Sequence, residues 1–315
     1  MGGTRERVRR SFVGRLVPEL PDLTLYLEAL HCRVLGHQLL HVRVDSPFVL
    51  RSVDPPLGRS HGKQVVALRL VGKRIVIALE GEHFLVIHLM VAGRLHWRAS
   101  SRTAKPRSLL ATFAFDSGIL ELTEAGTKRR ASLHLIQGET ALSDFDRGGV
   151  DVLSCSREIF AERLRCENHT LKRALADPRL FSGIGNAYSD EILHRARLSP
   201  TALTSRLSDD QLSALFHAAR STLSSWTERL RDEAGGAFPA KVTAFREGMA
   251  VHGRYGKPCP DCGAPVQRIR YAENETNYCA RCQNGGRLLA DRALSRLLRQ
   301  DWPRSLEEME EMRSR

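Results

Sequence analysis

Apolar and polar positions alternate in short runs through the first 150 residues, and that period predicts strands. Gln64–Leu70, Arg74–Leu79, Phe84–His88 and Leu109–Phe115 are such runs, separated by turn residues such as Glu80-Gly81-Glu82 and Ser117-Gly118. One helix precedes them, from Leu23 to about Arg33, with Leu23, Tyr26, Leu27 and Leu30 on one face. From Ser156 the period becomes helical. Ser208, with Gln211 three residues on, forms a capping box, and Leu212, Leu215, Phe216, Ala219, Leu223, Trp226 and Leu230 then recur at the spacing of a bundle core. The switch falls at Asp146-Arg147-Gly148-Gly149, a polar, glycine-bearing linker. Leu288–Gln300 reads as a further amphipathic helix, Glu307–Glu310 as a solvated acidic tail, and no repeat is visible. The fold class is α+β: an N-terminal β-sandwich with a flanking helix over 18–146, then a helical domain over 150–250.

Composition narrows the partners. An apolar fraction of 42% over 315 residues is enough for a core in each domain. A net charge of +12 and a pI near 9.8 call for an anionic partner, nucleic acid first and an anionic membrane surface second. No run of about 18 apolar residues is present, so nothing spans a bilayer. Met1–Val17 carries arginines but lacks the apolar stretch of a signal peptide, which places the protein in the cytoplasm.

Three of the seven cysteines, Cys32, Cys155 and Cys166, are scattered. The other four stand as Cys259-Pro-Asp-Cys262 and Cys279-Ala-Arg-Cys282, with sixteen residues between the pairs. That is the spacing of a zinc site: each C-x2-C turn points two thiolates at one metal, and the intervening length suits a β-hairpin. A pair of disulfides is the competing reading, and a cytosolic chain disfavours it. Four thiolates leave no open coordination position, so one structural Zn2+ is expected in a zinc finger over 251–287.

The run Phe181-Ser-Gly183-Ile-Gly185-Asn186-Ala-Tyr-Ser-Asp-Glu191 is a glycine turn entering a helix, where backbone N–H groups and the helix dipole favour a phosphate. Set between a strand-rich domain and a four-cysteine hairpin, it resembles the helix–two-turn–helix of the formamidopyrimidine-DNA glycosylase and endonuclease VIII family. Pro18-Glu19-Leu20-Pro21 resembles that family's N-terminal signature, and His252-Gly253-Arg254 with Lys257-Pro258-Cys259 resembles the lead into its zinc finger. The resemblance runs from about Pro18 to Arg287.

The resemblance implies a bifunctional glycosylase and AP lyase that removes oxidised bases of the formamidopyrimidine/8-oxoguanine class from duplex DNA. Pro18 would attack C1′ through its free amine and pass through an iminium to β,δ-elimination. Glu19 would move protons, and Lys73 would hold the lesion-strand phosphate. Lys172, Gly183, Gly185 and Asn186 match further DNA contacts of the family. Damaged double-stranded DNA is the expected partner, with no membrane and no obligate protein partner, and a monomer is expected, associated with the nucleoid through DNA.

Four departures accompany the resemblance. Pro18 is internal, and an internal proline nitrogen is a tertiary amide with no lone pair to donate. Residues 1–17 are accordingly read as a basic extension absent from the functional form, with Val17 marking a GUG start; the competing reading is a basic arm on phosphate. The wedge position that holds methionine in the family is Val91, with Met90 adjacent, and the loop Thr123–Arg130 offers Arg129 and Arg130 but no phenylalanine. At the hairpin tip Asn274 stands where the family places an arginine, and Arg268 and Arg270 compensate from the preceding strand. Residues 288–315, a helix and tail, extend past the family's usual end. Two other classes are carried: a catalytically inactive damaged-DNA-binding paralogue, and an RNA- or ribosome-associated zinc protein.

Overall fold

The computed structural model describes residues 17–100, 106–125, 128–239, 242, 246–271, 274–290 and 303–314. Helix α1 (Leu20–Val34) leads into eight strands, β1 (Gln38–Val44), β2 (Lys63–Val71), β3 (Arg74–Leu79), β4 (His83–His88), β5 (Gly93–Arg98), β6 (Leu109–Phe115), β7 (Gly118–Glu124) and β8 (Ser132–Gln137). Their order is β5-β7-β6-β1-β2-β3-β4-β8, antiparallel throughout. Only two residue pairs join β1 to β2, Gln38–Gln64 and Leu39–Lys63. The sheet can fold there into two four-stranded halves that share one core. Leu39, Val42, Leu95, Phe113 and Leu122 from one half meet Val65, Ile75, Ile77, Leu85 and Leu135 from the other, with Leu23, Tyr26 and Leu30 of α1 in the same cluster.

Period-2 geometry explains why β3 and β4 carry almost unbroken apolar runs. Ile75 and Ile77 face the main core, whereas Val76, Ala78, Phe84 and Val86 face a second cluster under α2 (Glu139–Ser143), with Ile136 and Leu142. Four strands beyond those expected are present. β1, β5, β7 and β8 interleave basic and polar residues, which blurs the apolar alternation.

The helical domain packs α3 (Arg157–Arg165), α4 (Leu171–Ala176), α5 (Asn186–Arg195) and α6 (Asp209–Ala234) around Phe160, Phe181, Tyr188, Leu215 and Leu223. Helix α6 starts as expected: the Ser208 hydroxyl accepts from Gln211 N (3.2 Å) and the Gln211 side chain accepts from Ser208 N (3.1 Å). It ends at Gly235, in the left-handed region at φ 54°. Strands β9 (Gln267–Tyr271) and β10 (Asn274–Tyr278) form the hairpin between the cysteine pairs, and α7 (Ala280–Asn284) follows.

The C-terminal stretch holds an element the sequence did not reveal. Glu307, Glu308 and Glu310 are exposed, as expected of a solvated acidic stretch, but they belong to a helix, Leu306–Ser314. Its Leu306 is buried and its Met309 packs against the cluster of Val251, Val266 and Tyr278, so this element covers the zinc finger. A lone apolar residue every few positions among glutamates gave the sequence too weak a period to reveal it. Of the helix expected over 288–300, residues 291–300 lie outside the described residues, as do residues 1–16 of the basic extension.

The cap of α6 yields a measurable expectation. Ser208→Ala removes the acceptor for one helix N–H and should lower stability by about 1 kcal/mol, read as a shift in urea denaturation followed by circular dichroism.

Candidate functional site

Glu19 sits immediately before α1, and only 2% of its surface is exposed. Its carboxylate is turned onto the N-terminus of α5: Oε2 accepts from Gly185 N (2.6 Å) and Tyr188 N (3.1 Å), and Oε1 accepts from Ala187 N (2.9 Å). These N–H groups have no partner within the helix, and the helix dipole adds to their attraction for an anion. Backbone contacts fix the same junction, because Leu20 N donates to Gly183 O (2.9 Å). Gly183 has φ 78°, and a Cβ there would lie 2.8 Å from that of Leu20. A Cβ on Gly185 would run into both the Lys73 ammonium and the Glu19 carboxyl group. The two glycines thus let the turn approach Glu19 closely.

Lys73 lies in the tight β2–β3 turn, half-buried beside Glu19. Burial pushes its ammonium below the ordinary lysine value; Glu19 opposes that shift and Lys172 adds to it. A cavity of about 750 Å³ opens here between the helical domain and the hairpin, lined by Lys73, Lys172, Gly185, Asn186, Arg270 and Asn274 among others. Six residues singled out in the sequence therefore share one wall-to-wall space.

Several of them stand differently from the expectation of free phosphate ligands. Lys172 is buried, and its ammonium donates to Asn186 O (2.6 Å), Ser189 Oγ (2.8 Å) and Asp190 Oδ1 (2.5 Å), which takes all three hydrogens. Asn186 donates its side-chain N–H to Glu275 O of the hairpin (2.9 Å). Arg268 stacks over Tyr255 at 4.1 Å and pairs with Glu275 at 3.7 Å, outside the cavity lining. Asn274 is exposed at the start of β10; residues 272–273 of the tip lie outside the described residues.

The wedge residues stand on other turns. Between β4 and β5 the chain reverses at Leu89–Gly93, where Gly93 N donates to Leu89 O (2.9 Å) and a Cβ on Gly93 would strike that carbonyl. Met90 takes φ 51° in this turn, and Val91 follows it; both are half-buried. Arg129 and Arg130 are exposed. The buried Glu124 carboxylate holds their loop by accepting from Arg130 N and Ala131 N (2.9 and 3.0 Å), while Arg129 donates to Arg107 O (2.6 Å). Gly126 and Thr127 of that loop lie outside the described residues.

Sequence reading missed Asp190 and Glu191, which look like surface carboxylates of an ordinary helix. Both are buried. Asp190 joins Lys172 to His252 Nδ1 (2.8 Å) and to Asn277 N (3.1 Å) of the hairpin. Burial opposes its charge, but Lys172 and His252 overcome this and hold the carboxyl below its ordinary value. Glu191 accepts from Ala250, Val251 and His252 N (2.7, 2.9 and 2.9 Å), the strand of chain that leads into the zinc finger.

The four cysteine sulfurs lie within 4.8 Å of one another, with Cys259–Cys282 at 3.9 Å and Cys262–Cys279 at 3.4 Å. Tetrahedral zinc with bonds of about 2.3 Å needs sulfurs about 3.8 Å apart, so the set fits. Burial first, then the crowding of the thiols, pushes Cys279 up to about 11 and Cys282 higher still. A dication resolves that conflict by holding all four as thiolates.

Comparison with known proteins follows the same three parts. A model of the formamidopyrimidine-DNA glycosylase N-terminal domain matches residues 17–133, one of its H2TH domain matches 151–233, and one of the zinc finger found in FPG and IleRS matches 256–285. The formamidopyrimidine-DNA glycosylase of Thermus thermophilus is 32% identical over 280 residues, covering 86% of this chain and all of that protein. The chain belongs to the formamidopyrimidine-DNA glycosylase family. A formamidopyrimidine-DNA glycosylase-like protein of Mycobacterium tuberculosis is 41% identical over 151 residues, 48% of this chain and 94% of that one. The crystal structure of MutM (Fpg) from Thermus thermophilus superposes with a TM-score of 0.70 at 29% identity, over 84% of this chain and 98% of that one. A Lactococcus lactis Fpg in complex with FAPY-dG-containing DNA shares the fold, with a TM-score of 0.74 at 22% identity over 84% and 100% of the two chains. Members of the family are glycosylase/AP lyase enzymes, and the zinc finger with its four cysteines is the family's. No helix among the described residues is long and apolar enough to cross a membrane.

Two measurements test the geometry of this family site. Gly185→Ala should lower stability by about 1–3 kcal/mol, because the added methyl displaces a carboxylate fixed by three hydrogen bonds; thermal melting checks it. His88, paired in register with Arg74, is held down to about 4 by burial first and then by Arg74, Lys73 and His134. Its folded value lies below the unfolded one of about 6.5, so between those values the unfolded chain binds a proton that the folded one does not. Stability should therefore fall as pH falls from about 6.5 to 4, by roughly 2 kcal/mol after solvent screening. His88→Gln should flatten that slope in urea titrations run across the window.

Proposed function

We propose that this chain excises oxidised bases from duplex DNA and cleaves the resulting abasic strand, with Pro18 as nucleophile and Glu19 as proton shuttle. The observation that carries the reading is the junction of Glu19 with the α5 N-terminus, beside Lys73 and the cavity. Backbone N–H donors hold this carboxylate rigidly next to Pro18, which suits a proton acceptor and donor that must not move during the reaction.

Attack needs a secondary amine. In an amide the Pro18 lone pair is delocalised into the carbonyl of Val17, whereas a chain beginning at Pro18 has an α-amino group with a pKa near 8, of which roughly a fifth is neutral near pH 7.4. The amine nitrogen bonds to C1′ and the base leaves with the amine's proton; protonated Glu19 then gives its proton to O4′ as the ring opens to an iminium, and takes up the C2′ proton before the 3′ phosphate departs. The match of the family's N-terminal domain from residue 17 supports a reactive form that starts at Pro18. Lys73 in its half-buried turn is the group for the lesion phosphate, with Arg270 and Asn274 across the cavity. Met90 or Val91 and Arg129 or Arg130 are the groups for the space left by the extruded base. Lys172 acts one step back, by fixing the Asn186 carbonyl and Asp190.

Borohydride trapping on a duplex with an abasic site tests the reading, comparing the full chain with one expressed from Met-Pro18 and verified by mass to have lost the methionine, so that Pro18 carries the free amine. The short form should be trapped covalently and the full chain should not, and Pro18→Gly or Glu19→Gln should cut strand cleavage by at least about 100-fold. Binding of both forms to the duplex without trapping of either would instead establish the inactive damage-binding paralogue.

A further inference from the structure

His194 occupies the last turn of α5, is 4% exposed, and points its Nε2 at the cysteine cluster. That nitrogen lies 3.3 Å from Cys259 Sγ and 4.0 Å from Asp261 Oδ2. Both neighbours are acceptors once zinc is bound, because Cys259 is then a thiolate and Asp261 a carboxylate. An unprotonated Nε2 would place its lone pair against two anions, so the hydrogen belongs on Nε2 and Nδ1 is the bare nitrogen. Cys259 itself is buried, at 2% exposure. Among the described residues no other nitrogen is within hydrogen-bond reach of its sulfur.

A four-thiolate zinc centre carries a net charge of about −2, and a thiolate without water needs a donor from the protein. We propose that His194 is a positioning residue of the zinc centre: its Nε2–H donates to the Cys259 thiolate and fastens the first cysteine turn to α5. Cys279 has a local donor in Cys282 N (3.5 Å), which belongs to the finger itself. Cys259 has one from outside the finger. The bond lowers electron density on the sulfur, so it slows attack of that thiolate on electrophiles and holds the metal. It also joins the finger to the helix whose other end carries Glu19, along a rod about 15 Å long. The inference does not rest on the glycosylase reading, since it concerns the zinc-loaded fold.

The experiment is zinc release from the full, zinc-loaded chain to a chromogenic chelator in the presence of N-ethylmaleimide. His194→Phe keeps bulk and loses the donor, and should release zinc about 10-fold faster. His194→Gln offers an amide N–H at the place of Nε2 and should stay within about twofold of the parent chain. Release from His194→Phe at the parent rate overturns the proposal, and so does release from His194→Gln as fast as from His194→Phe. Nitrogen-15 spectra of the unaltered zinc-loaded chain give a test that needs no variant. A protonated Nε2 is expected, and a hydrogen on Nδ1 instead overturns the proposal. Cobalt substitution should give the same four-thiolate spectrum in all three chains, and a change in ligand set in His194→Phe would make His194 a ligand and also overturn it.

Discussion

The carboxylate of Glu19 on the first turn of α5 is the contact on which the rest of the arrangement hangs. It joins residues 166 to 169 positions apart and is made of backbone N–H groups, which no substitution there short of proline removes. Because the donors are backbone, the helix must come to the carboxylate and not the reverse. Gly183 and Gly185 exist in that turn to permit the approach, and Leu20 is pinned to Gly183 on the other side. Lys73 is then brought beside Glu19 by the β2–β3 turn, and the cavity opens between them and the hairpin.

Helix α5 extends that constraint outward. Its middle carries Asp190 and Glu191, two buried carboxylates that would be costly alone. Each is matched: Asp190 by Lys172, His252 and Asn277, and Glu191 by three consecutive N–H groups at the entrance to the zinc finger. Its last turn faces the cysteines through His194. One ten-residue helix therefore addresses the N-terminal domain, the lysine of α4 and the zinc module in turn, each through charged or strongly polar groups with fixed direction. Apolar packing sets where the helix lies, and these groups set how it is rotated.

What the sequence disclosed follows from how local each signal is. The α6 cap, the β3 and β4 runs and the cysteine spacing are legible because their partners lie within a few residues or repeat with a simple period. The pairing of Glu19 with Gly185 could be suspected from the family signature, but its form could not, since a glutamate beside a proline carries no mark of the helix it will meet. Lys172 shows the limit most clearly. The family resemblance makes it a DNA contact, whereas its three hydrogens go to Asn186, Ser189 and Asp190. Burial decided the matter, and burial of a single lysine depends on residues up to 18 positions away. The final helix was hidden for a related reason: Leu306 and Met309 form too short an apolar face to stand out from four glutamates until the zinc module is there to receive them.

The shallow join between β1 and β2, with two residue pairs, has a consequence for synthesis. Every strand of the sandwich finds its pairing partners between Gln38 and Gln137, so the sheet can close while the ribosome is still making the helical domain. The Glu19 carboxylate lacks its α5 donors through that interval, for those N–H groups emerge some 170 residues later. A nascent chain thus holds a finished first domain and an open junction. Closure comes late, with the helix.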